Sequence, residues 1–414
     1  MRYIIHNVSI FDGTGAPARS GSVIVASERI AAVHLGNATS AAGADDIVID
    51  GEGGTLMPGM IEAHAHLTWG SSIEKIYHEF ILPEDELRTA TWRNARVLLD
   101  HGFTSAYSAG ALGESLEVEL RDEIKQGRTP GPRLIASTIE RSPQGAEGVA
   151  TGDIDHGRGP EAMRAFMRHC KDLGVDSVKL LISGEDALLP GSSQHILYIA
   201  EELQAAGEEA QRLNLRLAAH TQAAEAIKLG IRYGVRVLYH CTWADEEALD
   251  LLEAKRDEVF VAPAIGIIVA TLEASPPPHV DMSAMKKSAE VVIPRMKALI
   301  TELRRRGVRI LPGGDYGFPF NPNGRNARDL QHFVDLFGYS PAEALVAATK
   351  LGGELMGQGH ELGLVREGYL ADLLLVDGDP TKDVRILQDA SRLKMIMQGG
   401  RLHKAPSPAI VQAA

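Results

Sequence analysis

Three shortages in this 414-residue sequence exclude whole classes of protein. Its two cysteines, Cys170 and Cys241, cannot form the disulfide framework of a small secreted protein, so we expect a cytoplasmic location. No apolar run approaches the roughly 20 residues that a membrane-spanning helix needs. The first residues contain no long apolar segment of the kind found in signal peptides. Together these shortages predict a protein that does not act at a membrane.

Positive charge is also scarce. Lysine and arginine total 42 against 55 aspartates and glutamates, which gives a formal net charge of -13. Because a surface of this sign repels nucleic acids, we expect no nucleic-acid partner. Hydrophobic residues make up 44% of the chain and aromatic residues only 5%, as in a globular protein with an aliphatic core. We expect a small-molecule substrate and a homo-oligomer.

Short apolar runs separated by turns occur at both ends of the chain, and runs of this length are typical of strands. We predict one small β-sandwich module built from both ends. Residues 1–56 would be its N-terminal part and residues 361–414 its C-terminal part. The runs are residues 3–5, 8–11, 22–25, 30–33 and 47–50 near the start and residues 371–377 and 393–400 near the end.

Between these ends, strand-like runs alternate with longer helical stretches, which is the pattern of a (β/α)8 barrel. We therefore predict an α/β fold with a TIM barrel over residues 57–360. The predicted helices include residues 89–101, 159–173, 195–213, 223–233, 283–306 and 341–355. The eight predicted strands are residues 61–66, 104–107, 133–136, 177–181, 216–220, 235–240, 259–263 and 309–313.

Five of the predicted strands carry residues suited to binding metals. Two histidines spaced i, i+2 end the first predicted strand, and residues at this spacing point to the same face of a strand. In a TIM barrel, functional side chains collect at the C-terminal ends of the strands. Each residue alone has an ordinary structural explanation, but together they predict a metal site. The set consists of His64, His66, Lys179, His220, His240 and Asp315.

With these residues the chain resembles the amidohydrolase superfamily of metal-dependent hydrolases. The resemblance also rests on the run Pro58-Gly59-Met60-Ile61-Glu62-Ala63-His64-Ala65-His66 and on the β module formed by both ends. It implies two divalent metal ions, with zinc as the first choice and manganese, cobalt or iron as alternatives. It also implies which residues hold them: His64, His66 and Asp315 bind one ion, His220 and His240 bind the other, and Lys179, carboxylated by CO₂, bridges both.

The implied reaction is hydrolysis of a C–N bond in an amide, urea or carbamate. A lysine amine must be neutral to capture CO₂, and burial favours the neutral form. Two ions would hold a bridging water and lower its pKa, which yields hydroxide near neutral pH. Asp315 would then act as general acid and base, taking the hydroxide proton and delivering it to the leaving nitrogen.

The stretch after Asp315 is most similar to molinate and phenylurea hydrolases, with prolidase-like and ochratoxin-cleaving amidohydrolases as broader neighbours. One alternative is therefore an Xaa-Pro dipeptidase or N-acyl amino acid hydrolase using the same site. Another is a mononuclear deaminase or cyclic-amidine hydrolase, such as an imidazolonepropionase-like enzyme. The residues after His220 lack the His-Ala-Glu type of element found in the deaminases, which favours a binuclear hydrolase. A barrel without catalytic activity is the third alternative.

The loop after Asp315, residues 316–328, lies over the predicted mouth of the active site. Its candidate substrate contacts are Phe318, Arg325 and Asn326. A second loop, residues 141–158, contains His156, which either reaches the pocket or lies in solvent.

Two residues beside the predicted ligand His240 have alternative roles. Tyr239 either donates a hydrogen bond to a substrate carbonyl or packs in the barrel. Cys241 follows His240 directly, and neighbours on a strand point to opposite faces. A Cys–His nucleophilic pair is therefore not expected, and Cys241 is predicted to pack as a thiol.

Overall fold

The structure is a computed structural model that describes residues 2–36, 42–70, 83–143, 157–185, 191–408 and 411–413. His156 and most of the 141–158 loop lie outside these ranges. Within them, no helix combines the length and the apolar character needed to cross a bilayer.

The N-terminal strands are rich in branched apolar residues. On the first strand Ile5, Val8 and Ile10 are buried, and this strand pairs antiparallel with the second. The register shifts between Ile5 and Val8, where Asn7 has a φ of 52°, a conformation that asparagine adopts more readily than most residues. The five strands are β1 (Arg2–Ile10), β2 (Arg19–Ala26), β3 (Arg29–Leu35), β4 (Asp46–Asp50) and β5 (Thr55–Pro58).

The middle of the chain alternates buried strands with amphipathic helices, as predicted. The helix over Pro160–Leu173 shows how the chain punctuates them, because it begins with proline and ends before Gly174 at a φ of 83°. The elements in chain order are β6 (Met60–Ala65), α1 (Glu84–Asp100), β7 (Phe103–Ser108), α2 (Leu116–Lys125), β8 (Arg133–Ile135), α3 (Pro160–Leu173), β9 (Ser177–Leu181), a 3₁₀ turn (Ser192–Gln194), α4 (Ala200–Leu213), β10 (Arg216–Ala223), α5 (Ala224–Arg232), β11 (Val237–Trp243), α6 (Glu246–Ala254), β12 (Phe260–Ala262), α7 (Ile265–Glu273), α8 (Ser283–Arg305), α9 (Arg328–Phe337), α10 (Pro341–Ala348) and α11 (Lys350–Leu355).

The strands of this α/β region form two parallel sheets, ordered β6-β7-β8 and β12-β11-β10-β9. Between β8 and β9, the carbonyl of Ala136 accepts hydrogen bonds from Asp176 N and Ser177 N at 2.9 and 3.1 Å. Single parallel bridges, Val261–Ile310 and Ala65–Tyr316, connect the 310–316 segment to β12 and β6.

The predicted eighth strand, residues 309–313, is not a regular strand. Pro312 has no N–H to donate, and Gly313 N donates to the Asp329 carboxylate at 2.9 Å instead of to a neighbouring strand. The ladder therefore cannot continue through these two residues. A TIM barrel agrees with the α/β architecture, but a continuous eight-stranded ladder is absent from the described part of the chain.

The C-terminal strands join those of the N-terminal end in one nine-stranded sheet. The remaining elements are β13 (Leu373–Val376), 3₁₀ turns Val384–Gln388 and Ala390–Arg392, β14 (Leu393–Gln398), β15 (Arg401–Lys404) and β16 (Val411–Ala413). The sheet runs in the order β15-β14-β13-β5-β1-β2-β3, and β4 pairs with both β1 and β16. Antiparallel pairing of β5 with β13 unites the two ends of the chain. A two-layered sandwich and the domain limits 1–56, 57–360 and 361–414 stay predictions.

Candidate metal centre

His64 and His66 come together with Asp315 at the end of β6. The Nε2 atoms of His64 and His66 lie 3.5 and 3.1 Å from Asp315 Oδ1, and all three residues are buried. His66 Nδ1 donates to the Gly110 carbonyl at 3.1 Å. In the neutral imidazole this hydrogen bond keeps the proton on Nδ1 and leaves the Nε2 lone pair able to bind a metal.

His220 on β10 and His240 on β11 complete the group of imidazoles. Their ring centroids are 4.4 Å apart, and the His240 ring lies 5.6 Å from that of His64. The six predicted ligand residues include four histidines, which the structure thus gathers around one point. Each is supplied by a parallel strand or by the residue that follows it.

The backbone around these ligands has unusual conformations. His240, Cys241 and Asp315 have φ values of 69°, 56° and 60°, which non-glycine residues adopt rarely. Such strain persists only where the surroundings impose it, and it concentrates at functional sites. Before Asp315, a Cβ on Gly313 would lie 2.9 Å from His64 Cβ, so only glycine allows this close approach.

Lys179 on β9 is buried against the same cluster. Its Nζ donates to the Ala109 carbonyl at 3.0 Å and lies 4.4 Å from the centre of the Tyr239 ring. Burial lowers the pKa of the Lys179 amine, and the nearby carboxylates of Glu140 and Asp315 only partly oppose the effect. A lowered pKa increases the neutral fraction of the amine, which is the form that reacts with CO₂.

The histidines have strongly shifted pKa values. Burial, reinforced by the charge of Lys179, lowers the pKa of His220 to about 3 and that of His64 well below its ordinary value. Burial and the charge of His220 do the same for His240. Burial alone would also lower the pKa of His66, but the hydrogen bond and charge of Asp315 outweigh it and raise that pKa. Neutral imidazoles are the form that binds metals.

The donor atoms fit divalent metal ions. Two groups of three buried or half-buried residues hold their donor atoms within 4.8 Å of one another: His64, His240 and Asp315, and Glu185, His220 and His240. His64 Nδ1 is buried and has no hydrogen-bond partner among the described residues. Imidazole nitrogens and carboxylate oxygens together suit zinc and neighbouring transition metals. These groups differ from the expected division, because His240 belongs to both and Glu185 joins His220.

Sequence reasoning missed two carboxylates at this site. Glu185 Oε2 lies 3.5 Å from His220 Nε2, and Glu140 lies 3.6 Å from His66 Nδ1 and 4.0 Å from Lys179 Nζ. Both follow strands, Glu140 after β8 and Glu185 after β9, so the same position rule that selected the histidines applies to them. Neither glutamate belongs to the ligand pattern of the family that the sequence resembles, so that pattern did not indicate them.

A buried network supports the ligands from behind. Glu62 Oε1 accepts from His64 N at 2.9 Å, and Glu62 Oε2 accepts from Asn326 Nδ2 at 2.8 Å. Burial raises the pKa of Glu62 to about 8 and that of Asp329 to about 7. The structure contradicts the expectation that Asn326 contacts substrate. Asn326 is buried, and its amide forms hydrogen bonds with Glu62 and Gly324.

Of the other three candidate substrate contacts, one is buried in the protein core and two lie at the mouth of the candidate site. The hydroxyl of Tyr239 donates to the Ala63 carbonyl at 3.0 Å and the residue is fully buried, so the packing alternative describes it. Phe318 is half-buried and Arg325 is exposed, so both remain accessible to a substrate. Cys241 is buried, and burial raises the pKa of its thiol to about 12, which excludes it as a nucleophile near neutral pH.

Comparisons with known proteins agree with this chemistry. The sequence profile of the amidohydrolase family matches residues 55–402. Ochratoxinase from Aspergillus niger is 25% identical over 376 residues, which cover 85% of this chain and 76% of the relative. Imidazolonepropionase from Rubrobacter xylanophilus is 24% identical over 416 residues, which cover 92% of this chain and 90% of the relative.

Solved structures extend the likeness to the whole fold. A Xaa-Pro dipeptidase crystallised with bound methionine matches with a TM-score of 0.86 at 25% identity, over 98% of this chain and 100% of the other. Molinate hydrolase and phenylurea hydrolase B match with TM-scores of 0.77 and 0.76, over 97% of this chain and 94% and 96% of the others. At 18% and 19% identity, these last two show a shared fold alone.

Proposed function

Because this chain belongs to the amidohydrolase family, as its metal-binding residues predicted, we propose that it is a metal-dependent hydrolase of a C–N bond in an amide, urea or carbamate. An amide is the first choice, since the Xaa-Pro dipeptidase among its structural relatives is by name an enzyme that cleaves amide bonds. A dipeptide or an N-acyl amino acid would satisfy the same chemistry. The expected homo-oligomer and cytoplasmic location stay predictions.

One observation carries the proposal. His64, His66, Lys179, His220, His240 and Asp315 are all buried and converge from five separate segments of the chain. Burying so many polar side chains together is unfavourable unless a ligand or another group satisfies them. The two groups of donor atoms, which share His240, support two metal positions.

The residues that would hold the metals are these six, with Glu185 as an added candidate near His220. When bound, divalent cations would polarise the substrate carbonyl and lower the pKa of a water molecule. Lys179 would join the two positions after its neutral amine reacts with CO₂ to form a carbamate.

Asp315 is proposed to move the proton. Its carboxylate would accept a proton as the oxygen of water adds to the substrate carbonyl carbon. It would return the proton to the nitrogen as the C–N bond breaks, so that an acid and an amine leave. The position of Asp315 Oδ1, within 3.5 Å of the Nε2 atoms of His64 and His66, supports this role because it places the carboxylate beside two residues that would hold a metal.

The competing function is a cyclic-amidine hydrolase with a single metal, which the named relative imidazolonepropionase represents. The second donor group, with Glu185 and His220, favours the binuclear proposal. Metal content distinguishes the two, because the binuclear enzyme should retain about two ions per chain after adventitious metal is removed.

The test combines metal analysis with a substrate panel on one protein sample. The panel contains N-acyl amino acids, Xaa-Pro dipeptides, aryl ureas and carbamates. We expect turnover of at least one class, and its loss in Asp315→Asn but not in the matched surface variant Asp335→Asn, whose carboxylate is exposed. A metal-replete protein that hydrolyses none of these would overturn the proposal.

A further inference from the structure

A cavity of about 500 Å³ opens between α7, the segment 274–282 and the loop that follows Asp315. This volume lies within the range of roughly 300–1,000 Å³ that is usual for small-molecule sites. Its walls combine apolar side chains with polar groups. The apolar side chains include Ala270, Pro276, Met282, Pro319, Phe320 and Pro322, and the polar ones include Glu273 and Arg325.

The cavity lies on the same side of the fold as the metal-ligand residues. Its back wall, α7, follows β12, and its front wall follows the 310–316 segment, so both leave the carboxyl ends of parallel strands. The two walls meet beside the metal centre, where Ile267 N donates to the Gly314 carbonyl at 2.8 Å. Gly314 directly precedes the ligand residue Asp315.

A row of aromatic rings leads from the metal centre into the cavity. The His66 ring lies 4.8 Å from that of Trp69, Trp69 lies 4.7 Å from Phe318, and Phe318 lies 6.0 Å from Phe320. Phe318 and Phe320 are half-buried, so part of each ring can still contact a ligand. Aromatic faces contribute large apolar contact area with little loss of side-chain entropy.

The rim of the cavity carries a guanidinium group available to an anion. Arg328 forms two hydrogen bonds with Glu273 at 2.6 and 2.5 Å, which neutralises that carboxylate. Among the described residues, the Arg325 guanidinium donates to the Phe320 carbonyl at 3.3 Å and has no carboxylate within ion-pair distance. An exposed guanidinium of this kind can bind a carboxylate through two parallel hydrogen bonds.

We propose that this cavity is a distal substrate subsite that takes an apolar, ring-sized group bearing a carboxylate. The apolar part would lie against Phe320 and Met282, and the carboxylate would pair with Arg325. This inference rests on the proposed function. It adds that the substrates of the hydrolase carry a ring with a carboxylate, remote from the C–N bond that is cleaved.

The test uses two small probes that need no turnover. The affinities of 3-phenylpropanoate and its neutral analogue 3-phenylpropanamide for the metal-replete protein are measured by ligand-observed NMR. We expect the carboxylate to bind about tenfold more tightly than the amide. Arg325→Gln should remove this difference, and Phe320→Ala should weaken both probes, whereas the surface control Arg96→Gln should change neither.

Several results would overturn the subsite. One is binding of neither probe to the unmodified protein. Another is unchanged affinity for the carboxylate in Arg325→Gln, which would mean that it binds elsewhere, for example at the metals. Failure of the proposed function is distinguishable, because a protein that binds the probes as expected but hydrolyses no C–N bond keeps the subsite and loses the hydrolase proposal.

Discussion

The metal centre and the loop that follows it, residues 316–328, hold their side chains in opposite ways. His64, His220 and His240 stand on three parallel strands and are at most 5% exposed. Phe318 and Arg325 are half-buried or exposed and are placed by contacts within or near the loop. A strand aims alternate side chains at one face, whereas a loop has no such rule. We therefore propose that the strands fix the chemistry of the site and that the loop contributes to the choice of substrate.

The largest expected loss of activity comes from replacing candidate ligand residues that lie on the strands or at their ends. Asp315→Asn keeps the shape of the side chain but cannot accept a proton, so we expect turnover to fall about 100- to 10,000-fold. Lys179→Ala should lower turnover at least as much, because it removes the residue proposed to join two metals. Steady-state kinetics and metal analysis check both variants. Activity within threefold of the unmodified enzyme in either one would break the comparison.

The same contrast explains what the sequence could predict. The predicted strand 177–181 is observed as β9, and the predicted helix 159–173 as α3, because runs of apolar residues and a Pro–Gly boundary are local signals. The predicted helix 341–355 divides at Thr349, where φ and ψ are -118° and -78°. That break depends on the backbone around it and leaves no mark in the apolar pattern.

The rest of the site depends on contacts that are distant in the chain. Asn326 and Glu62 are 264 positions apart, and no local pattern pairs them. Strand ends, by contrast, are known once the strands are, so the candidate metal-ligand residues could be selected from the sequence, and their role as ligands stays a prediction. Glu140 and Glu185 also follow parallel strands, so a criterion that selects every polar residue after each strand includes them.

A second prediction concerns Glu185, the ligand candidate that the sequence did not reveal. Its Oε2 lies near His220 and also accepts from Gln222 Nε2 at 2.8 Å. Glu185→Gln should lower the affinity for one of the two metals about 10- to 100-fold, as loss of an outer or direct ligand usually does. Metal retained after dialysis against graded chelator measures this. The exposed control Glu201→Gln should behave as the unmodified protein, and equal retention in Glu185→Gln would remove Glu185 from the centre.

A third prediction separates the two kinds of residue within the loop itself. Asn326→Ala leaves Glu62 Oε2 buried without its donor, so we expect the free energy of unfolding to fall by about 1–3 kcal/mol. Because the other Glu62 oxygen holds His64 N, kcat/KM should fall about tenfold. Arg325→Gln, at an exposed position of the same loop, should leave stability unchanged. The free energy of unfolding in urea is measured for both variants. If Asn326→Ala is as stable as Arg325→Gln, Asn326 does not stabilise the loop.

The last prediction is a pH dependence of stability, and it concerns His332 on α9, a helix that begins directly after this loop. Burial lowers the pKa of His332 to about 4, from an ordinary value of 6.5. Between pH 6.5 and 4 the unfolded chain therefore binds a proton that the folded chain does not, and stability falls as the pH falls through this window. The shift corresponds to at most about 3 kcal/mol.

Replacement of His332 by glutamine should remove that contribution while other groups titrate as before. The free energy of unfolding in urea, measured at pH 7 and at pH 4.5, should therefore decrease less in His332→Gln than in the unmodified protein. His360→Gln is the matched control because His360 is 77% exposed. If His332→Gln and the unmodified protein lose the same stability between these two pH values, burial does not hold the His332 imidazole neutral. The surroundings of His332 would then be as accessible to water as the exposed part of the 316–328 loop.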